Sequence, residues 1–182
     1  MSADDLATVT NRLVLATSTG DRRDEFCRST LAGGDDGTFV TEVSYVQSAR
    51  DVVADWQARD GRSPDRLHVL VVQERAQLRP DGLPDGVSAS VANPNDLTGV
   101  AMRLQDALNR AGEYDEPTLC FDSVTFLLQY HDVASSFKFL HMLTSQLRDA
   151  GVGGHFHADP EALDGQTLAR IRAVMDEEVD LT

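Results

Sequence analysis

Five short runs of apolar and β-branched residues divide the chain and predict strands. They cover residues 12–16, 39–46, 67–72, 118–121 and 152–157. The runs are nearly continuous rather than alternating, which is typical of strands buried on both faces of a parallel sheet. The last run contains Gly153 and Gly154, and glycine weakens a strand because it has no side chain to pack.

Apolar residues recur at helical spacing between these runs. Residues 96–111 carry one apolar face behind a capping Asn95 or Asp96, and residues 137–147 form a similar stripe that Gly151 ends. A shorter helix is predicted over residues 51–59. Because strands that alternate with helices imply βαβ crossovers, we expect an α/β fold with a mostly parallel sheet of about five strands, covered on both faces.

The length of 182 residues suits one well-filled core and is short for two. We therefore expect a single domain over residues 1–182, with a flexible N-terminus at residues 1–11. Residues 79–95 contain three prolines and two glycines. They predict the longest irregular connection, which we expect to form a lid or a partner surface at the carboxyl ends of the strands.

The charge of the chain excludes some classes of partner. Thirty acidic residues against 16 basic ones give a net charge of -14, which repels the phosphates of nucleic acids and of anionic lipids. Asp supplies 22 of the acids, and Lys138 is the only lysine. Short carboxylates with almost no lysine form a strongly hydrated surface, which indicates a salt-adapted organism with a salty cytoplasm.

The cysteines and the N-terminus bear on location. Cys27 and Cys120 are far apart, in a predicted helix and a predicted buried strand, so we expect two reduced core thiols and neither a metal pair nor a redox motif. Residues 1–11 are acidic and lack the features of a signal peptide, and no window approaches 18 apolar residues. The expectation is a cytoplasmic protein that does not contact membranes.

The turn after the first strand occupies the position of a phosphate-binding loop. Such a loop is rich in glycine and is followed by Lys and Ser/Thr at the start of a helix. Here Arg22 falls at the lysine position, and Asp21 would bind the backbone N–H groups that phosphate needs. The turn is therefore either a plain strand-to-helix junction or the remnant of a nucleotide site, whose residues would be Thr17, Ser18, Thr19, Gly20 and Arg22.

The fourth strand ends in Asp122 followed by Ser123. Apolar residues that run into a terminal Asp form the Walker B arrangement, in which the carboxylate orients Mg²⁺ and its water beside the phosphates. The alternative is an Asp that caps the next helix. Asp122 and Ser123 complete the candidate nucleotide site.

Histidines supply a second candidate site. His155 and His157 alternate on a strand and share one face, and Asp159 follows, so these three are weak candidates for transition-metal ligands. No further ligand can be identified from spacing, and a structural or pocket-lining role is the alternative. His141 lies on an apolar helix stripe and is expected in the core, and His68 is expected to pack in a strand.

Three segments carry a family resemblance. They are TLCFDSVTFLLQY at 118–130, FKFLHMLT at 137–144 and VGGHFHADP at 152–160. They resemble the C-terminal half of haloarchaeal RecA-superfamily proteins related to the clock ATPase KaiC, in particular small paralogues with a degenerate P-loop described as HTR-like or signal-transduction proteins. The resemblance is weaker, but in register, over residues 12–111. It implies a three-layer RecA-like P-loop NTPase fold.

The same resemblance indicates what the site has lost. Asp122 matches the Walker B Asp, and Ser123 matches the small hydroxyl residue after it. The family places paired catalytic glutamates after the second strand, where this chain has Gln47 and Ser48. Neither can act as a carboxylate base. Because the lysine, the magnesium-binding hydroxyl and the base are all missing, we expect that hydrolysis is lost and that no ATP or Mg²⁺ cofactor is retained, beyond a vestigial site.

The leading hypothesis is a non-catalytic regulatory or protein-interaction module of a halophilic archaeon, in signal transduction or in transcriptional or cellular regulation. It would bind a partner protein or itself, for instance as a homodimer, through Tyr130, His131, Asp132 and residues 79–95. One alternative is an ATP-binding, weakly hydrolysing KaiC-like ATPase in which Arg22 replaces lysine. Another is a small metal-binding protein built on His155, His157 and Asp159.

Overall fold

The structure is a computed structural model that describes residues 9–17, 22, 25–27, 38–58, 66–75 and 82–182. One sheet of seven strands runs through this part of the chain. Its strands are β1 (Asn11–Leu15), β2 (Thr38–Ser44), β3 (Arg66–Val72), β4 (Val87–Ala92), β5 (Glu116–Asp122), β6 (Gly153–Ala158) and β7 (Glu177–Asp180). The order across the sheet is β4-β3-β2-β5-β6-β1-β7, and all neighbouring strands are parallel. The predicted α/β fold is confirmed, with seven strands rather than about five.

Helices connect the strands. They are α1 (Ala49–Gln57), α2 (Leu97–Ala111), α3 (Val124–Tyr130), α4 (Val133–Asp149) and α5 (Gly165–Arg172), with a 3-10 turn at Pro160–Ala162, and residues 22 and 25–27 are also helical. Each of the five helices begins at a side chain that accepts a backbone N–H of the first turn, and these caps are Ser48, Asp96, Ser123, Asp132 and Asp164. Such caps satisfy donors that have no partner inside the helix.

Two strands, β4 and β7, were not predicted from the sequence, and both lie at the edges of the sheet. The segment 79–95 was expected to be irregular, but it contains β4. The alternating small residues of β4 are only half-buried because a single strand flanks it. β7 reads EEVD and pairs with β1 alone. Edge strands need no apolar face on both sides, so neither sequence has the run of large apolar residues that marks a central strand.

The core consists of two layers, one on each face of the sheet. One layer surrounds Phe121, which is fully buried and in ring contact with Phe139 and Phe156. The other lies under α1, which contributes Val52, Val53 and Trp56. Helices therefore cover both faces of the sheet, as the three-layer prediction requires.

The buried strand β6 contains a glycine, Gly154, at a position where the surrounding atoms leave no room for a side chain. A Cβ at this position would lie 2.9 Å from a ring carbon of Phe156 and 3.0 Å from Asn11 Oδ1. Real Cβ atoms do not approach other atoms so closely, so the packing of β6 against β1 and α4 requires a residue without a side chain.

His68 and His141 occupy different environments. His68 is buried on β3, where its two ring nitrogens lie 2.8 Å from Ser88 Oγ and 2.9 Å from Ser90 Oγ. Arg110 Nη2 donates to the same ring at 3.1 Å. His141, expected in the core, is instead exposed on α4 and stacks on Phe137. The apolar stripe predicted for this helix therefore included one exposed position, His141.

No helix in the described part of the chain is both long enough and apolar enough to span a bilayer.

Candidate functional site

A cavity of about 240 Å³ opens at the carboxyl edge of the sheet, where β1, β2, β5 and β6 end. It is lined by Ala16, Val46, Gln47, Asp122, Ser123, Thr125, Phe126, His157, Ala158 and Asp159. Ligands of open α/β sheets bind at this edge. The volume falls below the ~300–1,000 Å³ of most small-molecule sites, so the cavity itself is small for a nucleotide.

Asp122 is the last residue of β5 and lines this cavity, as a Walker B carboxylate would. Its carbonyl oxygen accepts the N–H of Tyr45 at 3.1 Å, which fixes the end of β5 against β2. The Asp122–Ser123 peptide bond is cis. Ser123, not Asp122, caps α3, because Ser123 Oγ accepts the N–H of Phe126 at 3.3 Å. The helix-capping alternative for Asp122 is thereby removed.

Gln47 lies in the cavity where the family resemblance implies a catalytic glutamate. Its side-chain nitrogen donates to Asp55 Oδ2 at 2.7 Å, and its backbone N–H donates to Ser44 Oγ at 2.9 Å. Ser48 is used as the cap of α1, paired with Asp51. Neither Gln47 nor Ser48 offers a carboxylate to the cavity, and the side-chain amide of Gln47 is hydrogen-bonded to Asp55 on α1.

The turn after β1 is described in part. Ala16 lines the cavity and donates its N–H to the Ala158 oxygen at 3.1 Å, and Thr17 is half-buried beside it. Arg22 is helical and exposed. The predicted nucleotide-site residues Ser18, Thr19 and Gly20 lie outside the described residues, as does Asp21, so their role stays a prediction.

A second group of polar side chains lies buried beside the cavity. Cys27 Sγ is 3.8 Å from Cys120 Sγ, 2.8 Å from His157 Nε2 and 3.2 Å from His155 Nδ1. Cys120 Sγ is 3.4 Å from His157 Nε2. Both cysteines are free thiols, as predicted. The sequence spacing did not indicate that the two sulfurs are neighbours, because the fold brings together residues that are 93 positions apart.

The sheet register explains how this group forms. Cys120 on β5 stands directly opposite His155 on β6, and His157 lies two residues further on the same face. Asp159 is not part of the group, since it follows β6 and caps the 3-10 turn by accepting the N–H of Glu161 at 3.0 Å. Sequence spacing could show that the histidines share a face, but not which strand lies beside them.

The electrostatics of the group disfavour Cys120 as a nucleophile. The hydrogen bond to Cys27 and burial raise the pKa of the Cys120 thiol, so it stays protonated at neutral pH. Burial, with the charge of Arg12, lowers the pKa of His155 to about 4. A protonated Cys120 lacks the thiolate that nucleophilic catalysis requires.

Glu42 is a buried carboxylic residue that the sequence pattern did not single out. It lies on β2 opposite Cys120, and its Oε2 accepts the indole N–H of Trp56 at 2.6 Å. Glu42 stands between valines in a run that was assigned to a buried strand, so the sequence pattern did not indicate a role for its carboxyl group. The buried face of the sheet therefore carries polar groups from β2 to β6.

The predicted interaction residues lie together at one corner of the same edge. Tyr130 is 39% exposed and its ring stacks on Tyr45 at 6.3 Å. His131 Nε2 donates to the Pro94 oxygen at 2.7 Å, which joins the end of α3 to the connection after β4. Asp132 has a structural role, because its carboxylate caps α4 through the N–H of Ser135 at 2.7 Å. That bond lowers the pKa of the Asp132 carboxyl.

Solved structures identify the class of fold. The chain is similar to KaiC-like protein PH0186 from Pyrococcus horikoshii OT3 (TM-score 0.61, 13% identity, 95% of this chain and 73% of that one). It is also similar to the flagellar accessory protein FlaH from Methanocaldococcus jannaschii (0.53, 12%, 94% and 70%) and to a P. horikoshii OT3 protein studied as PH0250 (0.64, 9%, 95% and 82%). The fold is therefore RecA/KaiC-like.

Sequence comparison identifies the family. The chain belongs to DUF7504, described as a family of unknown function, which matches residues 9–181. No curated protein matches the sequence.

Proposed function

We propose that this chain is a regulatory or protein-interaction domain that keeps a RecA/KaiC-like scaffold and does not hydrolyse ATP. The observation that carries the proposal is Gln47, an amide held by Asp55 at the position where hydrolysis requires a carboxylate base. Arg22 in place of the loop lysine supports it, because a guanidinium fork does not reproduce the point charge of lysine. The domain would act in signal transduction or in transcriptional or cellular regulation.

The second candidate is an ATP-binding, weakly hydrolysing ATPase. Asp122 favours it, because this carboxylate lines the cavity at the end of β5 and could orient a magnesium ion. The two candidates differ in whether Mg-ATP binds at all.

Calorimetric titration with Mg-ATP separates them. We expect a dissociation constant of millimolar or weaker and no phosphate release, because the cavity is small and lacks the lysine and the base. Asp122→Ala is expected to leave the weak binding heat unchanged. A micromolar dissociation constant that is lost in Asp122→Ala would establish the ATPase instead.

The interaction surface is proposed at the carboxyl edge, around Val46 and Tyr130. The side chains of Val46 and Tyr130 are 61% and 39% exposed, Val46 lines the cavity, and the hydrogen bond of His131 to the Pro94 oxygen holds the connection after β4 against the end of α3. The partner would be a second copy of the chain or another protein, since the charge of -14 disfavours nucleic acid and anionic membranes.

Val46→Asp tests this surface. We expect a loss of self-association of at least about tenfold, because a buried charge without a partner opposes docking. The melting temperature should not change, since Val46 is mostly in solvent. Sedimentation velocity measures the association, and Met102→Asp on α2, where Met102 is 65% exposed, is the matched control. Dissociation by Met102→Asp alone would move the surface to α2.

A cytoplasmic location in a salt-adapted archaeon is also part of the proposal. The 30 acidic residues and the single lysine support the salt adaptation. Its physical consequence is a stability that depends on ionic strength.

A further inference from the structure

Four side chains with metal-binding atoms lie buried together next to the cavity. Cys27, Cys120, His155 and His157 expose only 4%, 6%, 2% and 2% of their surfaces. They come from a helical segment, from β5 and from β6. The ligand atoms of Cys27, Cys120 and His157 all lie within 4.8 Å of one another.

Hydrogen bonding does not account for every close contact in this group. The two cysteines make four close contacts, two from Cys27 to the histidines, one from Cys120 to His157, and one between the sulfurs. Two of these contacts share His157 Nε2, which offers either one lone pair or one hydrogen, so they cannot both be full hydrogen bonds. Buried polar atoms are usually arranged so that each has a partner.

The distances suit a tetrahedral metal. Zinc bonds of about 2.3 Å to sulfur and about 2.0 Å to nitrogen put two sulfurs about 3.8 Å apart and a sulfur and a nitrogen about 3.5 Å apart. Cys27 and Cys120 have a sulfur separation of 3.8 Å, and Cys120 Sγ lies 3.4 Å from His157 Nε2. The contacts of Cys27 with His157, at 2.8 Å, and with His155, at 3.2 Å, would lengthen by less than 1 Å.

The geometry points to a zinc site in which Cys27 and Cys120 supply two thiolates and His157 supplies an imidazole. Sulfur and imidazole ligands favour Zn²⁺ over Mg²⁺ or Ca²⁺, which prefer oxygen. His155 Nδ1, which lies 3.2 Å from Cys27 Sγ, is the nearest candidate for the fourth position and would have to move toward the other ligand atoms to fill it.

Charge balance is consistent with burial of the ion. Binding releases the two thiol protons to solvent, and the two thiolates then neutralise the two charges of Zn²⁺. The histidines bind as neutral imidazoles. A neutral centre avoids the cost of burying a net charge. Four carboxylates or four imidazoles around the same ion would leave a net charge in the interior.

The site would join parts of the chain that hydrogen bonds of the sheet do not join. Cys27 belongs to the helical segment after β1, whereas the other three ligands lie on β5 and β6. His157 also lines the cavity. Zinc would therefore hold the helical segment against the sheet at the wall of the cavity. No nucleotide in the cavity would be needed for this.

The full chain is tested with zinc and with cobalt as its spectroscopic substitute. We expect one zinc per chain by elemental analysis of protein purified without chelator. One equivalent of Co²⁺ added to the reduced apoprotein should give a sulfur-to-cobalt charge-transfer band and the intense visible bands of tetrahedral cobalt. If wild-type protein shows no such bands, the proposal is overturned.

Variants assign the ligands. Cys120→Ser and His157→Gln should each weaken zinc binding by at least about 10–100-fold, the loss found for groups that merely support a ligand. His141→Gln, an exposed histidine on α4, is the control and should bind normally. Circular dichroism shows whether each variant folds, and the wild-type cobalt spectrum decides the matter if one does not. A Cys27–Cys120 disulfide whose reduction yields no zinc binding would also overturn the proposal.

Discussion

Thermal unfolding is expected at a markedly lower temperature in dilute buffer than in multimolar KCl. The folded chain confines a net charge of -14, and of the carboxylic side chains in the described part of the chain only Glu42 is buried. The Debye length shortens from about 30 Å at 0.01 M salt to about 3 Å at 1 M, so salt removes most of this self-repulsion. We expect a gain of several kcal/mol, or roughly 10 °C or more in melting temperature.

A charge variant separates repulsion from general salt effects. Glu113→Gln, Asp115→Asn and Asp149→Asn change three exposed carboxylates outside the site. Repulsion scales with the square of the net charge, so the triple variant should lose about two-fifths of the salt dependence. Differential scanning calorimetry over a KCl series measures it. An equal melting temperature at low and high salt would contradict the proposed salt adaptation.

Stability is expected to fall as the pH drops from about 6.5 to 4, in part because of His68. Burial, with the charge of Arg110, lowers the pKa of His68 to about 4, whereas the unfolded value is 6.5. Between these values the unfolded chain binds the proton and the folded chain does not. The stabilisation is therefore complete above pH 6.5 and is lost toward pH 4, which amounts to about 2–3 kcal/mol.

His68→Gln isolates this contribution. Glutamine can still bond the hydroxyl groups of Ser88 or Ser90 but does not titrate. Urea denaturation at pH 7 and pH 4.5 gives the free energy of unfolding of both proteins. The difference between the two pH values should be about 2 kcal/mol smaller in the variant. Equal differences would mean that His68 is protonated in the folded protein without penalty.

The central strands could be predicted from the sequence because burial on both faces leaves continuous apolar runs. β1, β2, β3, β5 and β6 all followed such runs to within two residues. β4 and β7 could not be found this way, because an edge strand is exposed along one side. The helix cap Asp96 shows the same limit at finer scale, since the sequence offered Asn95 and Asp96 and only the structure chose between them.

The candidate sites were predictable in unequal measure. Asp122 was found because a strand-terminal Asp is a local pattern, and the structure has it at the cavity. The grouping of Cys27 with Cys120 depends on which strand lies beside β6, and strand order is a property of the whole sheet. Glu42 was missed for a related reason, since its indole partner comes from a helix 14 positions away.

The two edges of the sheet differ chemically, and this difference limits how copies of the protein could assemble. β7 presents three carboxylates in four residues, while β4 reads VSASVA and carries no charge. Two β7 edges brought together would oppose like charges, which natural sheets use to prevent continuous strand pairing. Within the described residues the β4 edge carries no charge, so two molecules could pair through their β4 strands about a two-fold axis, which gives a closed pair rather than a fibre.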